Sequence, residues 1–128
     1  MANVLLIESD KILAVNASKA LKKSGHKVIW QVDPQLALDS ADTKLPDVII
    51  LDLILANRGG VEFMYEFRSY PDWQAVPIII FSSLSPEELR GVLNGFNHLN
   101  ISAYHYKSST SLAQLSESVN RATHAISV

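Results

Sequence analysis

The chain contains no cysteine. Disulfides, thiolate nucleophiles and zinc–thiolate sites are therefore excluded, and the composition suits a reducing compartment. Long apolar runs are also missing: the strand-like ones last only a few residues, too short to span a bilayer. The N-terminus lacks a basic region followed by a long apolar stretch, so no export signal is read there. Basic charge is scarce. The net charge is −2 and no basic stripe stands out, which argues against direct nucleic-acid binding. No repeat, low-complexity segment or linker is evident. What is present is 128 residues, 48% hydrophobic and 19% charged, enough for one domain with a real core. The reading is a single cytoplasmic domain over residues 1–128, any output domain being absent or cut away.

Short Val/Ile-rich runs alternate with longer amphipathic stretches. The spacing predicts strands over Val4–Ile7, Lys27–Val32, Asp47–Leu53, Pro77–Phe81 and Ser102–Tyr106. It predicts helices over Asp10–Ser24, Pro34–Ala41 and Gly60–Ser69, one capped by Ser85 and running to about His98, and one over Ser111–Ile126. Inward stripes are Ile12, Leu13, Ala17, Ala20 and Leu21; Val61, Met64 and Phe67; and Leu112, Leu115, Val119, Ala122 and Ile126. Five strand–helix units imply an α/β fold with parallel strands and helices on both faces. The runs "VLLI", "VIIL" and "IIIF" are apolar on successive residues, as strands covered on both sides must be.

A doubly wound sheet places its ligand site at the carboxyl ends of the strands. Glu8, Ser9, Asp10, Asp52, Ser82 and Lys107 all fall at or just past predicted strand ends. Separate segments thus deliver acids, hydroxyls and an ammonium group to one rim. Asp52 stands inside "VIILDLIL", where a lone acid is costly unless it is paired or reaches a solvated rim. Read more plainly, Asp52 caps a backbone group, Glu8 pairs with Lys107, Asp10 caps the first helix, and Tyr104 is a packed aromatic. No two of His26, His98, His105 and His124 have ligand spacing on a common face, and all four read as surface residues. Trp30 and Trp73 read as packing or partial surface anchors.

As a set, these residues resemble the receiver domain of bacterial response regulators. The resemblance rests on Glu8 after the first strand, Asp52 in "ILDLIL", Ser82 in "IIIFSS", and Tyr104 and Lys107 in "AYHYK". It implies a flavodoxin-like, five-stranded parallel sheet in the order 2-1-3-4-5. It implies that Asp52 accepts a phosphoryl group from a histidine kinase or phosphotransfer protein, helped by Lys107 and Ser82, and that Ser82 and Tyr104 act as the switch. It implies Mg2+ held by Glu8, Asp52 and the backbone carbonyl of Ile54, with Asp10 as a further candidate ligand. Such a domain at most catalyses its own phosphorylation and dephosphorylation. Its partners would be that kinase and a downstream protein or output domain, with a homodimer through the fourth helix, fifth strand and fifth helix.

This sequence departs from the family pattern at several points. The family has two acids in succession after the first strand, where this chain has Glu8 and Ser9. Ala56 stands for a proline, Gly59 for an acid, and Ser108 for the proline that follows the lysine. A cis bond before serine costs ~3 kcal/mol, so that loop is expected in trans. The alternative is a pseudo-receiver, an interaction module that works without phosphorylation because Ser9 replaces a metal-binding acid. An aspartate-nucleophile phosphatase is disfavoured, since Ile54 stands where the acid–base partner is needed. Ile54 and Leu84, apolar beside Asp52 and Ser82, would screen an acyl phosphate from water.

Overall fold

The computed structural model describes residues 1–55, 59–93 and 99–127. Its strands are β1 (Asn3–Ile7), β2 (Lys27–Gln31), β3 (Val48–Leu51), β4 (Ile78–Ser82) and β5 (Ile101–Tyr106). Its helices are α1 (Lys11–Lys23), α2 (Pro34–Thr43), α3 (Gly60–Arg68), α4 (Pro86–Leu93) and α5 (Leu112–Ser127). The sheet runs β2-β1-β3-β4-β5 with every pair parallel, the order that the family resemblance implies. Parallel neighbours need crossovers, and the helices supply them.

The pleat divides each apolar run between two cores. Leu5, Ile7, Ile49, Leu51, Ile78 and Ile80 face one layer, with Phe63, Met64 and Phe67 of α3 and Ala37, Leu38 and Ala41 of α2. Val4, Leu6, Val48, Ile50, Ile79 and Phe81 face the other, with Ala14, Ala17 and Leu21 of α1 and Leu115 and Val119 of α5. Both faces are covered, so successive residues must all be apolar.

Helix starts follow the local chemistry. Asp10 caps α1, accepting from Leu13 N at 3.2 Å. Asp33 caps α2 ahead of Pro34. Ser85 and Glu88 exchange bonds at the start of α4, as Ser111 and Gln114 do at α5; these are capping boxes. The expected extension of α4 to His98 and the turn at Ala56 lie outside the described residues, as does the side chain of Ile126. Among the described residues no peptide bond is cis, and no helix is long and apolar enough to cross a membrane.

Two expectations need correction. Ile12 is not in the buried stripe of α1; it is 76% exposed, and Ala14 takes the inward place. His26 is not a surface residue. It is buried, with Nδ1 accepting from Ala2 N at 3.1 Å and Nε2 2.6 Å from Asn120 Oδ1. Gly25, at φ +94°, turns the chain so that His26 closes that corner.

Candidate functional site

Strand order reverses between β1 and β3, and the crevice opens at their carboxyl ends. Glu8 is the first residue past β1 and Asp52 the first past β3. Pairing Ile7 with Leu51 sets them side by side. Ser82 closes β4, and Lys107 follows β5 in a short 3-10 turn, Lys107–Ser109. Glu8 is 1% exposed and Asp52 4%.

The ammonium of Lys107 bridges the two acids. Its Nζ lies 2.9 Å from Asp52 Oδ2 and 2.9 Å from Glu8 Oε1, and 5.7 Å from the centre of the Phe81 ring. The other carboxylate oxygens are held by backbone. Ile54 N donates to Asp52 Oδ1 at 3.0 Å, and Asp10 N to Glu8 Oε2 at 3.0 Å. Glu8 Oε1 has the Lys107 ammonium as its partner. The indole of Trp30 donates to the backbone oxygen of Glu8 at 2.8 Å.

Glycine is required where α3 meets this rim. A Cβ on Gly60 would stand 2.6 Å from Asp52 O and 2.7 Å from Leu53 Cα. The close approach also lets Gly60 N donate to Leu53 O at 2.9 Å.

Burial foremost pushes the Glu8 carboxyl above its ordinary range, with the Asp52 charge adding to it, against the Lys107 ammonium and the Asp10 N–H. Burial works against the Lys107 ammonium, but Glu8 and Asp52 outweigh it and raise its pKa. A raised carboxyl pKa means that the folded chain binds the proton more tightly than the unfolded chain. Glu8 therefore removes stability as pH rises from about 4.5 through its folded value. Glu8→Gln is expected to flatten this acid-side slope. Urea titrations from pH 4 to 8 test this; a slope unchanged from the wild type would mean that Glu8 does not carry it.

Ser82 and Tyr104 converge on Leu84 instead of on the ion pair. Leu84 N donates to Ser82 Oγ at 3.2 Å, and the Tyr104 hydroxyl donates to Leu84 O. Both polar groups of one residue in the β4–α4 loop are thus held by the two expected switch residues. Asp10 lies beside the rim in sequence, but its carboxylate serves α1. Among the described residues no three His, Asp or Glu side chains gather at one point. Ile54 is half exposed at the mouth, while Leu84 is partly buried against the core.

The donor chemistry fits a hard divalent cation. Two oxygen-bearing acids flank one crevice; magnesium takes oxygen ligands and keeps several waters. Glu8 and Asp52 would hold it, with Ser9 offering a neutral oxygen at most.

A family model described as the response regulator receiver domain matches residues 4–95. The chain belongs to the response regulator receiver domain family. This receiver is 38% identical over 87 residues to the KDP operon transcriptional regulatory protein KdpE of Escherichia coli K12, covering 68% of this chain and 37% of that protein. The receiver thus spans well under half the length of that curated relative. Among solved structures, a sensor protein from Polaromonas sp. JS666 superposes with a TM-score of 0.86 at 21% identity, over 97% of both chains. The Mn2+-bound form of response regulator Rcp1 superposes with a TM-score of 0.73 at 23% identity, over 99% of this chain and 93% of that one. The family match stops at residue 95, before Tyr104 and Lys107. The fold, not that match, brings Lys107 back to Asp52.

The sequence reading gave two polar residues no role that the fold gives them. Trp30 reads as packing or a partial surface anchor, although its place opposite Leu6 near the end of β2 puts its one donor near Glu8. Arg68, a basic residue in the last turn of α3, gave no signal of burial, yet it is buried.

Proposed function

We propose that this receiver accepts a phosphoryl group on Asp52 from a phosphohistidine donor, a histidine kinase or phosphotransfer protein of the cytoplasm, and switches partner binding in response. The observation that carries this reading is the Lys107 ammonium 2.9 Å from the Asp52 carboxylate at a sheet rim. A carboxylate oxygen attacks phosphorus, the bond from phosphorus to the donor imidazole nitrogen breaks, and an acyl phosphate forms on Asp52. The difficulty is that an anion approaches an anion. Lys107 offsets this charge and keeps Asp52 oriented, while the Ile54 amide fixes the other oxygen. Mg2+, when bound by Glu8 and Asp52, supplies further neutralisation of phosphoryl charge. Once phosphate is present, Ser82 Oγ exchanges the Leu84 amide for a phosphoryl oxygen. Leu84 then moves, and Tyr104, bonded to its carbonyl, carries the change to β5. The α4–β5–α5 face passes it to an output domain or a second copy.

Incubation with acetyl phosphate and Mg2+ is expected to add one phosphate to the wild type by intact mass and none to Asp52→Asn. Ser9→Asp is expected to lower the half-saturating magnesium concentration about tenfold, since it restores a charged ligand.

A second reading is favoured by Ser9 and by the missing third acid among the described residues. There the domain is a pseudo-receiver whose Lys107 already neutralises the rim. Absence of any adduct on the wild type, with Asp52→Asn retaining full partner affinity, selects this reading.

A further inference from the structure

Trp30 lies opposite Leu6 on the α1–α5 side of the sheet, packed against the core that Ala14 and Leu21 share. An indole has a single hydrogen-bond donor, and here it is spent on the Glu8 carbonyl at 2.8 Å. The Glu8 amide is held from the same strand, donating to Gln31 O at 3.1 Å. Both backbone groups of Glu8 are therefore fixed to β2, one by main chain and one by a side chain.

Downstream, the chain is fastened twice more. Asp10 N donates back to Glu8 Oε2, and Asp10 Oδ1 caps Leu13 N. Between these points lies the Glu8–Ser9 peptide, whose carbonyl is the group the indole grips. Glu8 is turned to Lys107 and Asp10 to the helix.

We propose that Trp30 is a positioning residue for the acid segment: its N–H sets the Glu8–Ser9 peptide plane, and through it the placement of Glu8 toward the cation. Without the donor, the carbonyl is free, the plane rotates, and the Asp10–Glu8 bond opens more often. The proposal rests on the receiver reading only in its metal-binding part; the backbone part stands alone.

Trp30→Phe keeps a ring in the core and removes the donor. Amide exchange by NMR at Asp10 is expected to speed at least tenfold, while the Ile79 amide in the central sheet stays unchanged. The half-saturating Mg2+ concentration is expected to rise about fivefold, with the labelling rate by acetyl phosphate at saturating Mg2+ preserved. Unchanged Asp10 exchange overturns the proposal, as does unchanged or tighter Mg2+ binding. If the wild type binds no Mg2+, the receiver reading fails in its metal requirement, and Asp10 exchange alone decides the role of Trp30. Should the variant fail to fold, the wild type still answers. Its Trp30 indole N–H signal should exchange slowly and shift on Mg2+ addition, whereas that of Trp73, packed on Phe67 and Tyr70, should not shift. A fast-exchanging Trp30 indole overturns the assignment.

Discussion

Replacing Arg68 with methionine is expected to destabilise the domain by about 4 kcal/mol, the largest loss of any single side-chain change considered for this molecule. The guanidinium is buried near the amino ends of β4 and β5, away from the rim. It fans across four carbonyls: Leu99 at 2.8 Å, Trp73 at 2.9 Å, Val76 at 2.6 Å and Asn100 at 3.2 Å. The Phe67 ring lies 5.5 Å beneath it. Burial pulls its pKa down to about 10, so it stays charged at neutral pH. One cation thus ties the end of α3, the loop into β4 and the approach to β5. Methionine fills similar volume but withdraws the guanidinium from those carbonyls, of which Trp73 O keeps the Val76 N–H at 3.2 Å, and each buried orphan left costs about 1–3 kcal/mol. Arg68→Lys should recover only part of the loss, because an ammonium on a single stem cannot reach both sides of the fan. Urea unfolding measures both variants; a methionine variant within 1 kcal/mol of wild type would show that water replaces the guanidinium freely.

Gly60→Ala is expected to cost about 3 kcal/mol and to abolish labelling of Asp52 at the same time. The added methyl meets main-chain atoms of residues 52 and 53, not the yielding end of a side chain. Either α3 withdraws, opening the core around Phe63 and Met64, or the backbone at Asp52 shifts and breaks the alignment with Lys107. Thermal unfolding and acetyl phosphate labelling read the two consequences separately. An alanine variant that labels at the wild-type rate would mean that the rim tolerates displacement of its acceptor. Gly59→Ala is the control, since its nearest neighbour lies 3.8 Å away and is the end of the Glu62 side chain.

The architecture was legible because its signals are local and repeated. "VLLI", "VIIL" and "IIIF" could only be strands covered on both faces, and the caps Ser85 and Asp10 announced their helices. The site was legible as a set of strand ends, which is why Glu8, Asp52 and Lys107 fall into one group in the sequence itself. What the sequence concealed depends on side chains reaching across space. Arg68 looks like any basic residue closing a helix, and nothing in its neighbours says that four carbonyls wait beneath it. His26 follows a glycine in an apparently exposed turn, and only the positive φ of Gly25 carries it inward. Ile12 fits a helical stripe by spacing, but α1 rotates Ala14 to the sheet and leaves Ile12 in solvent.

Alternation without contrast has a further effect. In a strand with one oily face, slipping by one position exposes the oil, and hydrophobicity itself enforces alignment. Here β1, β3 and β4 are oily on both sides, so a slipped strand would still be greasy everywhere. Side-chain size and the acids at the strand tips must do the counting instead. Inserting one residue in β1 would leave its apolar content intact while turning the acid at its tip to the opposite side of the sheet, so the contact of that acid with Lys107 should vanish well before the ability to fold.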